Sequence, residues 1–517
     1  MEQNKTTSMY SWLSLIVIVI GTFMSILDSS IVNIAIPKIM TVFGISMDDS
    51  KWILTSYTLA LGAIIPLTGY LQDVFGSKKI YMFALTVFTI GSMLCGFSWN
   101  NTSMISFRIL QAIGGGMIMP VGMSMIYQVF PKERIGLALG IWGIASMAAP
   151  AIGPTLGGYI IEKLDWRLIF NLNVPIGIIG VILAAVILKD TSSKKSKPFD
   201  IIGFASSTVG LVSILYVLGE WPSIDWSNAL YPILLTLGCL CMLLFVVNEL
   251  THPDPLLDLG IFKLFNFTVS QVIVCILTLS LMGGMYVMPL FLQNIRGYTA
   301  IHTGLIMLPP AIVMGLLMPI SGMLFDKLGS KPIVIPGLVI LAISSYLLSS
   351  SINMNSSSEF IMLILCIRSI GIGIAMMPIN TEGMNCVPQA LISKASAISS
   401  TIRQVCSSLS ITITTVIIQN KTNYNYSKLS EQITIYNKAS NNTISSLTNA
   451  YVQSGLPASS AKASALGKLT QLLQGQSTID AMAYAICVTA AVVIAAIFLS
   501  FLIRGKKRIS KTIKVGD

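Results

Sequence analysis

A ten-residue pattern occurs twice in this chain, each time in the short link between two long apolar segments. The first copy is GYLQDVFGSK at residues 69–78 and the second is GMLFDKLGSK at residues 322–331, an offset of 322 − 69 = 253 residues. An Arg followed by two Gly and a Pro also recurs, beginning at Arg108 and at Arg368, an offset of 368 − 108 = 260 residues. Internal repeats among many apolar segments are typical of secondary transporters.

The composition of this chain indicates whether it lies in water or in a membrane. Of its 517 residues, 54% are hydrophobic and 10% are charged, and the mean hydropathy is +0.79. Soluble domains carry about 25% charged residues, so the sequence predicts an integral membrane protein. Windows of about 20 apolar residues predict fourteen membrane-spanning helices, near residues 11–36, 50–71, 80–98, 104–127, 135–160, 168–188, 201–219, 229–248, 267–291, 303–323, 332–350, 359–381, 396–419 and 480–503.

The distribution of Lys and Arg predicts the orientation. Nineteen of the 32 Lys and Arg residues fall in the termini and in the loops on the side of the N-terminus. By the positive-inside rule, both termini are expected in the cytoplasm, and the segment 420–479 is expected outside. The first apolar run carries Asp28 and is interpreted as a span, not a cleaved signal. The net charge of +11 follows from this topology, so no nucleic-acid partner is expected.

Asp28 is the acidic residue that the sequence places deepest in a span. A carboxylate near the centre of a membrane helix costs about 2.5–3.5 kcal/mol on insertion scales, so such a group usually has a role or a partner. Ser25, Ser29 and Asn33 recur at four-residue spacing beside it and are candidate partners. We expect either a proton-binding carboxylate or a structural one. The other acids near spans, Asp200, Glu220, Glu382 and Asp480, are predicted at span ends within reach of water or headgroups.

Polar and aromatic residues in the apolar segments are candidates for a substrate cavity. Arg108, Gln111 and Gly115 share one face of the fourth span by helical spacing. The candidate cavity residues are Asn33, Tyr57, Gln111, Tyr286 and Gln293. Met-rich runs such as 117–119 and 376–377 suit varied lipophilic ligands, although core packing is the favoured explanation for any single Met. Arg368 is expected to have a structural role.

The repeated pattern has its own chemistry. A tight link between two spans brings backbones close together, which favours Gly69 and Gly76 in the first copy and Gly322 and Gly329 in the second. Asp73 can meet the N-terminus of a neighbouring helix or an Arg, and Lys78 can face anionic lipid. Asp326 stands at the equivalent position of the second copy. These residues are therefore candidates for a conformational switch. The alternative is a turn without a switching role.

Several motifs together resemble the major facilitator superfamily, and within it the fourteen-span drug:proton antiporter family typified by EmrB and QacA. They are LDSSIVNIAIP at 27–37, the pattern at 69–78, RILQAIGGG from 108, GPTLGG at 153–158 and WRLIFNLNVPIG at 166–177. The resemblance covers about residues 12–505. It implies that Arg108 assists proton transfer. It also implies an antiporter motif at Gly140, Gly153, Pro154, Gly157 and Gly158, for which ordinary packing of small residues is the alternative.

The same resemblance implies the fold class and the domains. We expect an all-α membrane protein with the major facilitator fold, in which two six-helix bundles are related by an axis along the membrane normal and two helices are inserted. The expected divisions are an N-terminal bundle at 1–190, an inserted hairpin with cytoplasmic linkers at 191–260, a C-terminal bundle at 261–505 and a basic tail at 506–517. The segment 420–479 is either a partly ordered outer hairpin or a flexible loop.

The implied function is proton-coupled antiport, in which lipophilic, often cationic drugs or toxic compounds leave across a bacterial plasma membrane by alternating access. The nearest alternative is export of a specific endogenous metabolite, peptide or lipid. No P-loop motif is present, so the proton gradient is the expected energy source and no cofactor is expected. We expect no enzyme activity, because the loops hold no catalytic cluster. The eight Cys suggest neither a disulfide framework nor a metal site. Besides substrates and protons, the expected partners are membrane lipids, and an adaptor protein only if the host has an outer membrane.

Overall fold

The computed structural model describes residues 2–189, 198–221, 224–354, 356–433 and 436–503. Helices account for nearly all of this part of the chain, and it contains no strand. The expected basic tail at 506–517 and most of the linker that begins at residue 191 lie outside the described residues. All-α architecture is therefore confirmed for the part of the chain that the structure describes.

The N-terminal half forms eight helices, of which two pairs each make one span. They are α1 (Glu2–Phe43), α2 (Met47–Ile64), α3 (Leu67–Phe75), α4 (Ser77–Gly96), α5 (Asn101–Val129), α6 (Ile135–Lys163), α7 (Leu168–Asn171) and α8 (Asn173–Ile187). Helices α2 and α3 meet at an angle of 53°. Pro66 stands at this bend. A proline has no N–H to donate, which explains why α2 ends there.

Two further helices, α9 (Ile201–Glu220) and α10 (Leu230–Thr251), pack against each other, and α9 also contacts α2. The aromatic rings of Trp52 and Tyr216 stack across this contact, with 5.7 Å between their centroids. The remaining helices are α11 (Phe265–Leu290), α12 (Ala300–Leu328), α13 (Lys331–Ser351), α14 (Ser358–Asn385), α15 (Ile392–Ser430), α16 (Lys438–Gln453) and α17 (Ala458–Leu502).

Fourteen spans were expected, and the structure agrees. Thirteen segments of the described chain are single helices, or nearly continuous ones, that are long and apolar enough to cross a membrane, and the bent pair α2–α3 is the fourteenth. Of the two alternatives for segment 420–479, the structure has the ordered hairpin. Helices α15 and α17 extend beyond the spans predicted for them, and α16 packs on α17 between them.

The two halves of the chain meet along α6 and α12 and along α5 and α15. At the second contact, the Ser396 hydroxyl donates to the carbonyl oxygen of Pro120 at 2.8 Å. A disulfide joins Cys275 on α11 to Cys406 on α15. The sequence suggested no disulfide framework and gave no sign of this single pair. The two residues are 131 positions apart, and only the packing of α11 on α15 brings them together.

We call the end of the molecule that holds the links at Gly76 and Gly329 the loop-motif face. Helix α1 begins at this face, because the Ser11 hydroxyl donates to the carbonyl oxygen of Val129 at the end of α5, at 3.1 Å. The opposite face carries the starts of α5 and α12. If the termini are cytoplasmic, as the charge distribution predicts, the loop-motif face is the cytoplasmic one.

Candidate functional site

A cavity of about 960 Å³ lies between the two halves of the chain. Its wall comes from α1, α2, α5 and α6 on one side and from α11, α12, α14 and α15 on the other. Most of the wall is apolar and rich in methionine, at positions 119, 147, 282, 285, 288, 307, 314 and 376. Methionine side chains adapt their shape readily, so this surface suits lipophilic ligands of varied outline.

The cavity is directed away from the loop-motif face. Its lining extends to Pro37, Gln293 and Thr303, which stand towards the ends of their helices at the opposite face. At the loop-motif face, α6 and α12 are in direct backbone contact: a Cβ atom added at Gly136 would stand 2.5 Å from the carbonyl oxygen of Gly322. The structure therefore has a cavity closed at the loop-motif face and reaching towards the other.

Four of the five candidate cavity residues line this cavity, namely Asn33, Tyr57, Tyr286 and Gln293. Gln111 does not line it. Its side chain is fully buried and donates through Nε2 to Oδ1 of Asp28 at 2.8 Å. The prediction for Gln111 was wrong because helical spacing places a residue on a face of α5 without showing which neighbour that face meets.

Asp28 is at the centre of a buried polar network. Its Oδ2 accepts from Nη1 of Arg108 at 2.6 Å, and its Oδ1 accepts from Gln111 and from Nδ2 of Asn173, both at 2.8 Å. Asp28 and Arg108 are each 1% exposed. Asn173 also donates to the hydroxyl of Ser92, at 3.0 Å. Both carboxylate oxygens are thus paired, as a buried charge requires.

The partners of Asp28 differ from those that the sequence suggested. Ser29 donates to the backbone carbonyl of Ser25, and Asn33 donates to the backbone carbonyl of Ser29, so these side chains serve their own helix. Asn173, which holds the carboxylate instead, was missed. It stands as a polar residue within the apolar run at 166–177, and that interruption was the available signal.

Tyr57 stands between this network and the cavity. The guanidinium carbon of Arg108 lies 4.0 Å from the centroid of the Tyr57 ring, a cation–π contact. Tyr57 lines the cavity, whereas Asp28 and Arg108 do not. One aromatic ring therefore separates the buried ion pair from the cavity.

The second copy of the repeated pattern joins the two halves. Oδ1 and Oδ2 of Asp326 accept from the backbone N–H groups of Gly136 and Leu137, at 3.2 and 3.3 Å, in the first turn of α6. An anionic group is stabilised there, because the free N–H groups make a helix N-terminus positive. Gly322 has no side chain to obstruct the contact, and Gly329 has a φ of +83° at the end of α12.

The first copy makes the corresponding contact with α15. A Cβ atom at Gly69 would stand 3.2 Å from the Cα of Lys394, near the start of that helix. Gly76 has a φ of +87° and links α3 to α4. Asp73 lies in the last turn of α3. Nζ of Lys78 donates to the carbonyl oxygen of Ala185 at 2.8 Å and so meets the end of α8, whereas its contact with anionic lipid stays a prediction.

The residues of the antiporter motif lie on α6 between α12 and α1. A Cβ atom at Gly140 would stand 2.5 Å from the Cα of Pro319 on α12, and one at Gly157 would stand 3.0 Å from the Ile31 side chain on α1. Gly153 faces the side chain of Ser30 on α1, and Gly158 faces Ile301 on α12 at 3.6 Å. The side chain of Pro154 lies outside the described residues. These glycines allow α6 to approach both neighbours closely.

Two acids near the loop-motif face are more buried than the sequence suggested. Asp200 is 3% exposed and caps α9, with Oδ1 accepting from the backbone N–H of Gly203 at 2.7 Å. Glu249, which sequence reasoning passed over, is 4% exposed and accepts from the N–H of Leu257 at 2.9 Å. The sequence did not reveal the burial of either side chain, because both residues lie at span ends. There the exposed fraction of a side chain depends on how the adjoining loop folds. Among the described residues, no group of three or more His, Cys, Asp or Glu side chains could hold a metal ion.

Comparison with known proteins identifies the family. Residues 18–411 match the family model described as Major Facilitator Superfamily. This match covers well over half of the chain. The chain belongs to the major facilitator superfamily. Members of this superfamily are transporters of small molecules, so the chain is a transporter and not an enzyme.

Relatives within the superfamily include transporters from several bacteria. The chain is 40% identical to an uncharacterized MFS-type transporter, YhcA, of Bacillus subtilis over 418 residues, which cover 81% of this chain and 78% of that protein. It is 30% identical to the multidrug export protein EmrB of Escherichia coli over 426 residues, covering 81% and 82%. It is also 30% identical to the lincomycin resistance protein LmrB of Listeria monocytogenes, over 77% of this chain and 84% of that protein.

A solved structure supports the superfamily fold. The proton:xylose symporter XylE, a superfamily protein bound to 6-bromo-6-deoxy-D-glucose, superposes with a TM-score of 0.61 at 13% identity, covering 96% of this chain and 97% of that one. At this identity the likeness concerns the fold alone. The fold class and the resemblance to EmrB-type transporters are thereby confirmed, and the chain is a multi-pass membrane protein with bacterial relatives.

Proposed function

We propose that this transporter exports lipophilic compounds across a bacterial plasma membrane in exchange for protons. The observation that carries the proposal is the buried Asp28–Arg108 pair, which lies one aromatic ring away from a large apolar cavity between the two halves. A titratable carboxylate inside a membrane protein is commonly part of a proton pathway. The names of EmrB and LmrB, a multidrug exporter and a drug-resistance protein, agree with an export role.

The coupling step in this proposal is the protonation of Asp28. The ionised carboxylate holds Arg108 at 2.6 Å and also orders Gln111 and Asn173. A proton on Asp28 removes its charge, so the attraction for Arg108 falls while the guanidinium remains buried. Arg108 and the Tyr57 ring packed on it can then move, and Tyr57 belongs to the cavity wall. In this proposal the substrate acts on Tyr57 from the cavity, and the proton acts on Tyr57 from the other side through Asp28 and Arg108.

The conformational step in this proposal is the opening of the loop-motif face. Helices α6 and α12 separate there only if Asp326 leaves the first turn of α6. An acid at a helix N-terminus contributes about 0.3–1 kcal/mol, and up to about 2 kcal/mol when partly buried. That is large enough to bias an equilibrium between two states and small enough to be reversed in each cycle. The glycines on α6 permit the close contact and also its sliding.

Simultaneous measurement of efflux and internal pH in proteoliposomes tests the proposal. The purified transporter should move protons in response to a panel of lipophilic compounds, and Asp28→Asn should abolish this coupling while the protein remains folded. Asp480→Asn is the matched control, because Asp480 is exposed and its partner among the described residues is Gln476 in its own helix. An Asp28→Asn protein that still exchanges protons for a compound would remove Asp28 from the mechanism. Transport of a single metabolite, peptide or lipid, with no response to the panel, would favour the alternative of a specific exporter.

A further inference from the structure

The charges on the cavity wall are all of one sign in the described part of the chain. The lining residues include two cationic side chains, Arg368 on α14 and Arg403 on α15, and they include no Asp and no Glu. Asp28 does not balance these charges from outside the wall, because Arg108 neutralises it at 2.6 Å and Tyr57 screens it. The cavity therefore presents two positive charges that no neighbouring carboxylate compensates.

Arg403, the second cation of the wall, is unpaired within the part of the chain that the structure describes. It makes no hydrogen bond and no ion pair with a described residue, and its Nε is buried without a partner. The neighbouring polar residues on α15, Ser400, Gln404 and Ser407, line the same cavity. Ser400 and Ser407 lie three residues before and four residues after Arg403, so the three share one face of the helix. An unpaired cation on a polar stripe within an otherwise apolar wall is costly unless a ligand supplies the missing charge.

Arg368 is held in place by neutral groups, and part of its guanidinium is left unbonded. Its Nε donates to the hydroxyl of Ser345 at 3.3 Å, and its Nη2 donates to the backbone carbonyl and hydroxyl of Ser280. Its Nη1 makes no hydrogen bond with a described residue. This nitrogen lies against Gly284, a cavity-lining residue at which any Cβ atom would overlap with it. The wall thus keeps space for an oriented donor that faces the cavity.

We infer that the cavity recognises lipophilic organic anions, whose acidic group pairs with Arg403 and Arg368. The inference rests on the proposed export function and names its substrate class. A guanidinium presents donors in a planar fork that matches a carboxylate, and such charge-assisted hydrogen bonds are about twice as strong as neutral ones. The methionine-rich remainder of the wall accommodates the apolar body of the ligand. A lipophilic cation meets two unfavourable charges here, contrary to the cationic substrates that the family resemblance implied.

Binding of three matched ligands tests the inference without any proton gradient. The ligands are 2-naphthoate, 2-naphthamide and 2-naphthylmethylammonium, which share a ring system and differ in charge. Isothermal titration of the purified transporter in lipid nanodiscs, with empty nanodiscs subtracted, should show that the anion binds about tenfold or more tightly than the cation. The neutral amide should fall between them.

Substitutions then assign the preference to the arginines. Arg403→Gln should weaken naphthoate binding about tenfold and leave naphthamide binding nearly unchanged, whereas Arg403→Lys should retain most of the anion preference. Gly284→Ala, which displaces Nη1 of Arg368, should reduce naphthoate binding in the same selective way. Arg167→Gln is the control for losing an arginine elsewhere, because Arg167 is partly exposed and is not a cavity residue. Unchanged naphthamide binding shows that each variant is folded.

The results that overturn the inference are specific. They are a cation that binds as tightly as the anion, an Arg403→Gln variant that loses both ligands equally, and a wild-type protein that fails to bind naphthoate at concentrations on the order of a millimolar. These failures are separable from failure of the proposed function. Anion binding without any proton movement would reject proton-coupled export and retain the anion site. Proton-coupled export of neutral and cationic compounds alone would reject the anion site and retain export.

Discussion

Asp326 accepts a hydrogen bond from the backbone N–H of Gly136, with 3.2 Å between Oδ1 and N, although 190 residues separate the two in the chain. The contact crosses from α12 to the first turn of α6 and so joins the two halves at the loop-motif face. Beside it, Gly136 and Gly322 allow the two backbones to touch. The repeated pattern that stands out in the sequence therefore lies at the contact that closes one end of the cavity.

Neutralising Asp326 should favour opening of this face. Asp326→Asn keeps an acceptor but loses the negative charge at the helix N-terminus, so we expect the closed arrangement to lose about 0.5–1 kcal/mol. Spin labels at positions 133 and 328 should report a larger population of long distances. Asp480→Asn should leave the distribution unchanged, and an identical distribution for Asp326→Asn would mean that the capping contact does not hold the face closed.

A methyl group at Gly322 should have a larger effect than a methyl group at Gly315, two turns earlier on the same helix. A Cβ atom at Gly322 overlaps with the backbone of Gly136, and overpacking of this kind costs about 1–3 kcal/mol. Gly322→Ala should therefore open the loop-motif face and slow transport. Gly315→Ala on the same helix is the matched control, because its nearest neighbour would be 3.9 Å away. Equal transport rates in the two variants would show that the second copy of the pattern is a turn without a switching role.

The buried ion pair should show strong coupling in a double-mutant cycle. Asp28→Asn leaves the guanidinium of Arg108 buried without a counter-charge, which typically costs about 3–5 kcal/mol. The double variant Asp28→Asn/Arg108→Gln removes both charges and should recover much of this loss. Thermal unfolding of the purified proteins measures the difference. Additive effects of the two substitutions would show that the pair is not energetically linked.

Transport of an anion should respond to the membrane potential. One outgoing monoanion and one incoming proton together move two positive charges inward per cycle, and each charge gains about 2.3 kcal/mol per 100 mV from a potential that is negative inside. A potassium diffusion potential should therefore accelerate naphthoate efflux even without a pH gradient. Exchange of one cation for one proton moves no net charge and should not respond. Naphthoate efflux that ignores the potential would contradict this stoichiometry.

Labelling of a cysteine at Ser440 tests the orientation that the charge distribution predicts. Ser440 lies on α16, in the hairpin between α15 and α17. A reagent that cannot cross the membrane should label it from outside the cell, since the segment 420–479 is predicted there and both termini in the cytoplasm. Labelling from the cytoplasmic side alone would overturn that topology and reverse the face to which the cavity is directed.

The sequence by itself determined that the chain lies in a membrane, how many spans it has and that a sequence pattern is duplicated in it. Apolar runs of about 20 residues have one stable solution in a bilayer, because a helix satisfies its own backbone hydrogen bonds. A local pattern is therefore enough to predict these features. The link glycines were predictable for the same reason, since the φ values of Gly76 and Gly329 depend only on the tight turns they occupy.

Only the tertiary structure decided which polar groups meet. Gln111 was assigned to the cavity but binds Asp28, and Asn173 was missed. The cationic Arg403 was not assigned to the cavity, although it lines it and has no hydrogen-bond partner among the described residues. Helical spacing shows which residues share a face, but the neighbour of that face depends on how distant helices pack. Whether a charge inside a membrane protein is neutralised or left for a ligand depends on which groups that packing brings within about 3 Å of it.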